Sequence, residues 1–204
     1  MSNHSESSPF AIVIHGGAGT ITRSELDDKL EADIRATLQA SVEAGYRLLC
    51  KGLASTDAVI AAVNVMEDSA LFNAGKGAVF NASGSHEMDA SIMQGNGLNA
   101  GAVASVTNIK NPINLAARVM TESEHILLMG QGAEEFARDQ GFKMTDQEYF
   151  HTDFRWQQLQ RIKASEAVSD AQPPENHTNN DVKDKWFSTV GAVALDQNGD
   201  LAAA

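Results

Sequence analysis

One cysteine, Cys50, stands in the 204 residues. That excludes an internal disulfide and any Cys-x-x-Cys metal or redox centre, and it points to a reducing compartment. Basic residues are also scarce. Fifteen Lys and Arg stand against 27 Asp and Glu, a net charge of −12 with a pI near 4.8, and nothing basic is clustered. Nucleic acid is therefore an unsuitable partner, and a small molecule or peptide is the expected substrate. No apolar run approaches the roughly 20 residues that a membrane-spanning helix needs. Residues 1–10 are polar and serine-rich, without the basic-then-apolar order of a secretory leader. The expectation is a cytoplasmic protein with no membrane partner.

Several chemistries are missing by motif. The six histidines are scattered with no His-x-x-x-His spacing, which leaves no zinc site. There is no Gly-x-Ser-x-Gly elbow, so the His15-Gly16-Gly17 run does not belong to an α/β-hydrolase oxyanion loop. Lys76 between two glycines is not a phosphate loop, because Gly-x-x-x-x-Gly-Lys-Ser/Thr is absent. Gly130-x-Gly132 lacks the third glycine of a dinucleotide fingerprint and reads as a tight turn.

What is present is a globular chain, 43% hydrophobic and 21% charged, of a length that fits one ordinary domain. Residues 11–15 form a short apolar strand ending in glycines. Leu26, Leu30, Ile34, Leu38, Val42 and Leu49 recur at near-helical spacing and predict an amphipathic helix to about Cys50, closed by Gly52. Ser55 or Thr56 caps a second helix with Val59, Ala62, Val63 and Met66 inward. Strands follow over 78–80, about 87–93 and 98–106, many of their side chains small, which suits a sheet covered by helices. His86, Glu87 and Asp89 then share one strand, with His86 facing away from the two carboxylates. Asn111-Pro112 opens another helix with a cap and a proline at its first position. A strand is expected at 126–129 and helices over 133–139 and 153–164. Thr145-Asp146-Gln147-Glu148 has capping-box spacing. From 165 to 188 periodicity vanishes around Pro173-Pro174, and a flexible linker is expected. Asn198-Gly199 marks a hairpin turn between 189–196 and 201–204.

The junction after that linker carries the chemistry. In Phe187-Ser188-Thr189-Val190-Gly191 a hydroxyl stands at the start of an apolar strand. Thr189 as a new N-terminus would carry its nucleophile and its base on one residue: the side-chain hydroxyl, and an α-amine whose ordinary pKa is roughly 7.7–8.0. The plainer reading is that Thr189 merely opens a β-strand.

Four ordered segments decide between these readings. They are His15-Gly16-Gly17-Ala18-Gly19, Leu71-Phe72-Asn73-Ala74-Gly75-Lys76-Gly77-Ala78-Val79-Phe80, His86-Glu87-Met88-Asp89-Ala90, and Thr189-Val190-Gly191-Ala192-Val193-Ala194-Leu195-Asp196. Together, over about residues 11–204, the chain resembles the plant-type L-asparaginases, or isoaspartyl peptidases, of the N-terminal nucleophile hydrolases.

The resemblance implies an α+β fold, an αββα sandwich incomplete in this chain. On that reading 1–10 is a disordered tail, 11–164 the α-part, 165–188 the linker, and 189–204 the first strands of the β-part. It implies self-cleavage between Ser188 and Thr189, with Thr189 then hydrolysing L-asparagine to aspartate and ammonia and removing β-aspartyl residues from dipeptides. Asn73, Gly16 and Gly17 would position the nucleophile. A structural sodium ion would sit on the main-chain carbonyls of Met66, Glu67, Ser69, Phe72, Ala74 and Lys76, with no organic cofactor, and the complete protein would form an (αβ)2 dimer.

Ser188 departs from the glycine common before the nucleophile in this family, which gives less freedom to strain the bond. The returning strand 201–204 is half the length of its hairpin partner, so the expectation is a fragment that is inactive without the C-terminal part of its own precursor. The family's oxyanion donors and substrate clamp would lie in that part. The alternatives are a glycosylasparaginase-like or protein-cleaving relative, and a non-catalytic fragment that acts by association.

Overall fold

The structure, a computed structural model, describes residues 8–18, 26–169 and 189–204. Among these, strands β1 (Ala11–His15), β2 (Met88–Gln94), β3 (Ala100–Val106), β4 (Leu127–Met129), β5 (Gly191–Leu195) and β6 (Leu201–Ala203) form one sheet in the order β1-β5-β6-β2-β3-β4. Its pairings are antiparallel except β3 with β4. Helices α1 (Asp28–Cys50), α2 (Ser55–Glu67), α3 (Pro112–Glu122), α4 (Gly130–Asp139) and α5 (Asp153–Ser169) complete this mixed α+β architecture. No helix among the described residues is long and apolar enough to cross a membrane.

The helical periods read from the sequence hold where the signal is local. Helix α1 starts at Asp27, whose carboxylate accepts the Leu30 N–H at 2.7 Å, and it closes before Gly52 at φ +76°. It packs on α2 at Gly45, where a Cβ would lie 2.7 Å from the Ala58 carbonyl and 2.3 Å from Ile12 Cδ1. Only glycine permits that approach of α1, α2 and β1. Val59, Ala62, Val63 and Met66 of α2 are buried as the spacing predicts. The small residues of β3 serve the same end. A Cβ at Gly101 would meet the Ala116 carbonyl at 2.2 Å, so α3 sits directly on the strand.

The other face of the sheet carries no layer among the described residues. Val13 and Val193 there are 68% and 51% exposed, and Met93 and Leu201 are exposed as well.

Helix starts differ from expectation because distant carboxylates take the capping role. The cap of α2 is Ala54, not Ser55 or Thr56, and the Ser55 N–H donates to Asp196 Oδ2 at 2.9 Å. Pro112 does open α3, but the Asn111 side chain turns to Asp68, and the Ile113 N–H donates to Glu67 Oε1 at 3.1 Å. Thr145-Asp146-Gln147-Glu148 makes no capping box. It leads into a 3₁₀ turn, Gln147–Phe150, with the Gln147 side chain drawn to the backbone of His86 and Thr107.

Residues 78–80 are not a strand. The Val79 N–H is taken by the Asn73 side chain and is lost to any ladder. Strand β2 begins at Met88, so His86 and Glu87 precede it, and Gly130 opens α4 instead of forming a turn. Strand β5 begins at Gly191, after Thr189. Helix α5 runs on to Ser169, so the start of the expected 165–188 linker is helical. The rest of that span, and 1–7 of the expected tail, lie outside the described residues. The Asn198-Gly199 hairpin forms, with Leu195 paired to Leu201 and Gly199 at φ +86°.

Candidate active site

Strand β5 lies inside the sheet between β1 and β6, and its first residue, Gly191, pairs with His15 at the end of β1. Thr189 is exposed just ahead of that pair. The antiparallel register therefore brings the Gly16-Gly17 loop and Thr189 past one another at the same end of the sheet.

Thr189 opens on a cavity of about 530 Å³ whose lining includes Glu67, Asn73, Gly75, Glu87, Asp89 and Val190. Three of the segments singled out by sequence, the Asn-Ala-Gly loop, the His86–Ala90 stretch and the threonine junction, thus meet in one space.

Asn73 is oriented unambiguously. Its Oδ1 accepts the Val79 N–H at 2.9 Å. The amide nitrogen cannot face a donor, so it is the N–H groups that Asn73 can offer to the cavity. The loop holding it is tight. Gly75 has φ +50°, and a Cβ there would lie 2.2 Å from the Glu67 carbonyl; at Gly77 a Cβ would lie 2.1 Å from the Phe72 carbonyl. Side chains at either place would push the loop open.

The cavity is acidic. Glu67 is 3% exposed, and burial pushes its carboxyl up to about 8 against the opposing pull of the Ile113 N–H. Its Oε1 serves the start of α3, and Oε2 has no hydrogen-bond partner. Asp89 Oδ1 accepts the Ser105 N–H at 2.8 Å, where β2 and β3 shift register and Ser105 takes φ +52°. That bond gives Asp89 a structural task; both Asp89 and Glu87 are exposed. His86 is buried and Glu87 exposed, although both lie ahead of β2 and outside the strand whose alternation would separate them. His86 is 1% exposed, with Nδ1 at 3.3 Å from the Val79 carbonyl.

The remaining expected site residues stand around this cavity. Gly16 and Gly17 do not line it. Gly16 packs where a Cβ would meet Leu38 at 2.8 Å and Phe72 at 3.1 Å, and Gly17 has φ +131°. Met66 lies in the last turn of α2, and Ser69, Phe72 and Lys76 follow in the segment that leads to and includes the Gly75–Gly77 turn; the Met66 and Ala74 carbonyls accept the N–H groups of Ser69 and Gly77 at 3.2 and 3.1 Å. Ser188 and Gly19 fall outside the described residues.

Sequence reasoning missed three side chains: Glu67, considered only for its carbonyl, the grip of His86 on Val79, and Arg155. For Arg155 a signal existed. It shares a helix face with Leu159 and Ile162, the inward face of α5, and a charged residue on such a face has a partner to find.

Residues 8–204 match the family model described as Asparaginase. The chain is 42% identical over 194 residues to the isoaspartyl peptidase of Escherichia coli (strain K12), which covers 95% of this chain and 59% of that protein. It is 41% identical over 186 residues to the plant-type L-asparaginase of Thermococcus kodakarensis, covering 91% and 59%. It is also 39% identical over 195 residues to the isoaspartyl peptidase/L-asparaginase of Mus musculus, covering 96% and 56%. The chain spans about three fifths of the length of the curated relatives it matches.

Proposed function

The chain belongs to the asparaginase family, and on that premise we propose that it supplies the nucleophile, Thr189, of a self-processing amide hydrolase acting on L-asparagine and on β-aspartyl dipeptides. One observation carries the reading: Thr189 and Asn73, far apart in sequence, line the same cavity. The relatives named isoaspartyl peptidase and L-asparaginase support the two substrate classes.

The chemistry runs in two acyl transfers. Thr189 Oγ1 first attacks the Ser188 carbonyl carbon, and the peptide nitrogen takes the hydroxyl proton and departs as the α-amine of Thr189. Water hydrolyses the resulting ester, leaving a Ser188 carboxylate and a free threonine hydroxyl. In the second cycle the α-amine accepts the proton of Oγ1 as the oxygen attacks the β-carbonyl of the substrate. The leaving nitrogen takes that proton and departs as ammonia or an amino acid, and water releases aspartate from the ester. Asn73, which lines the cavity with its amide oxygen committed to Val79, uses its N–H groups to hold the nucleophile or the oxygen that becomes negative, a task preorganised amide donors perform well.

The same reading completes the surroundings. The uncovered apolar sheet face supports a second sheet from the C-terminal part of the precursor, giving an αββα sandwich. Oxyanion donors and the substrate clamp come from that part, and two (αβ) units form the dimer. The carbonyls of Met66, Glu67, Ser69, Phe72, Ala74 and Lys76 are neutral oxygens on the last turn of α2 and the loop after it, which Gly75 and Gly77 keep tight. That donor set fits a monovalent cation such as sodium, which would stiffen the loop without entering the chemistry. No organic cofactor enters the mechanism, and a cytoplasmic location accords with it.

The test is mass spectrometry and turnover on the intact gene product. We expect cleavage between Ser188 and Thr189, release of aspartate from β-aspartyl dipeptides and from asparagine, and loss of all three in Thr189→Ala. Turnover that survives Thr189→Ala would refute the assignment.

A further inference from the structure

The loop that presents Asn73 is gripped from outside the cavity. Arg155, in the first turn of α5, is 3% exposed. Its Nε donates to the Gly77 carbonyl at 2.9 Å, and a terminal guanidinium N–H donates to Gln158 Oε1 at 3.0 Å. Two residues beyond Gly77, the Val79 N–H donates to Asn73 Oδ1 at 2.9 Å, and the Val79 carbonyl faces His86 Nδ1 at 3.3 Å. The span 77–79 is therefore pinned on three sides, and of these only Asn73 lines the cavity with Thr189.

A guanidinium is an expensive choice for filling space. Taking it out of water costs several kcal/mol before its bonds offset that cost, and a leucine or methionine would pack there without it. Burial also pulls the Arg155 pKa down. What arginine adds over an apolar side chain is directional: a planar donor group that fixes where one carbonyl stands, itself held in place through Gln158. The Gly77 peptide needs such fixing, since a Cβ there would strike the Phe72 and Ala70 carbonyls and no side chain of its own can anchor it.

We propose that Arg155 is a positioning residue for Asn73: it holds the Gly77 carbonyl, and through the Val79 N–H it sets how the Asn73 amide stands in the Thr189 cavity. The inference rests on the reading of that cavity as the hydrolase site. A group displaced by about 1 Å can cost on the order of a hundredfold in rate, so a loosened loop has room to show in kcat.

The experiment is a double-mutant cycle on the intact gene product, measuring kcat and KM for a β-aspartyl dipeptide in wild type, Arg155→Met, Asn73→Ala and the double variant. Arg155→Met should lower kcat by about tenfold with KM within about twofold, and in the Asn73→Ala background it should lower kcat by less than about twofold, because the residue it acts through is gone. Arg155→Lys, which keeps a cationic donor, should recover part of the rate. An equal fold-loss in both backgrounds would overturn the proposal. Should Arg155→Met not fold, Arg155→Lys runs through the same cycle and is judged the same way.

If the wild type shows no turnover that Thr189→Ala abolishes, the hydrolase reading fails, and hydrogen exchange decides the coupling separately. The Val79 amide should exchange at least about tenfold faster in Arg155→Lys than in wild type at matched global stability. Unchanged protection there would refute the grip itself.

Discussion

Asp196 ties the strand that follows Thr189 to the start of α2, and its removal has a calculable cost. The residue is 2% exposed. Its Oδ2 accepts the Ser55 N–H at 2.9 Å, and its Oδ1 accepts the N–H groups of Asn198 and Asp200 at 2.9 and 3.1 Å. In Asp196→Ala the Ser55 N–H, itself buried, loses its acceptor at about 2–3 kcal/mol, whereas the two turn donors reach water and cost about 0.5 kcal/mol each. The total is about 3–4 kcal/mol, above the usual loss of a helix cap. Asp196→Asn retains one acceptor oxygen and the shape, and should lose about 1–2 kcal/mol. Burial pushes this carboxyl up, but the Ser55, Asp200 and Asn198 N–H groups outweigh burial and hold it below its ordinary value. A depressed folded-state pKa means stability that is present above the unfolded value of about 3.9 and lost as pH falls through the folded one. The gap between wild type and Asp196→Asn should therefore narrow from pH 7 to about pH 3. Urea unfolding measures both quantities. An Asp196→Ala loss under about 1 kcal/mol, or a gap to Asp196→Asn that ignores pH, would refute the reasoning.

Two other expectations concern stability. Gly101→Ala should destabilise by about 2 kcal/mol or more, since its Cβ would press on the Ala116 carbonyl at 2.2 Å and the Met120 nitrogen at 2.5 Å. Gly132→Ala, in α4 with nothing within 4 Å, should stabilise by about 0.5–1 kcal/mol; thermal unfolding of the pair checks both signs. Burial lowers the His86 pKa against the pull of the Val79 and Ala78 carbonyls. Its contribution should thus be complete above about pH 6.5 and decline as pH falls below that value. His86→Asn, which keeps a donor for Val79, should flatten that slope in urea unfolding between pH 5 and 8.

The elements most legible in the sequence are those whose causes are local. β1, α1, the buried face of α2 and the Asn198-Gly199 hairpin each follow from periodicity or a turn pair within a few residues. The errors share a different origin. Ser55 looks like a cap until Asp196, remote in sequence, supplies the acceptor, and Asn111 looks like one until Glu67 does. Residues 78–80 look like a strand because Ala-Val-Phe is apolar, but one side-chain amide removes the N–H a ladder needs. In the candidate site, the motifs single out Asn73 and Thr189, and the fold brings the two to one cavity. The partners of His86 and Arg155 are not legible in the sequence, even though the helix face marks Arg155 as a charge that needs one, because no spacing rule encodes which backbone carbonyl folding will bring to each.

The strand order has one more implication. Among the described residues β1 pairs only with β5, and β5 reaches β2 only through β6, so the hairpin of 191–203 is the bridge in the hydrogen-bonded ladder, with α2 packed across the same strands. Were the backbone severed just before Thr189, that bridge would stay wedged between its neighbours, and leaving would require unzipping both flanks together. The new chain end would keep its address from the ladder and not from the peptide bond it had lost, and the two pieces would part only when the sheet itself comes apart.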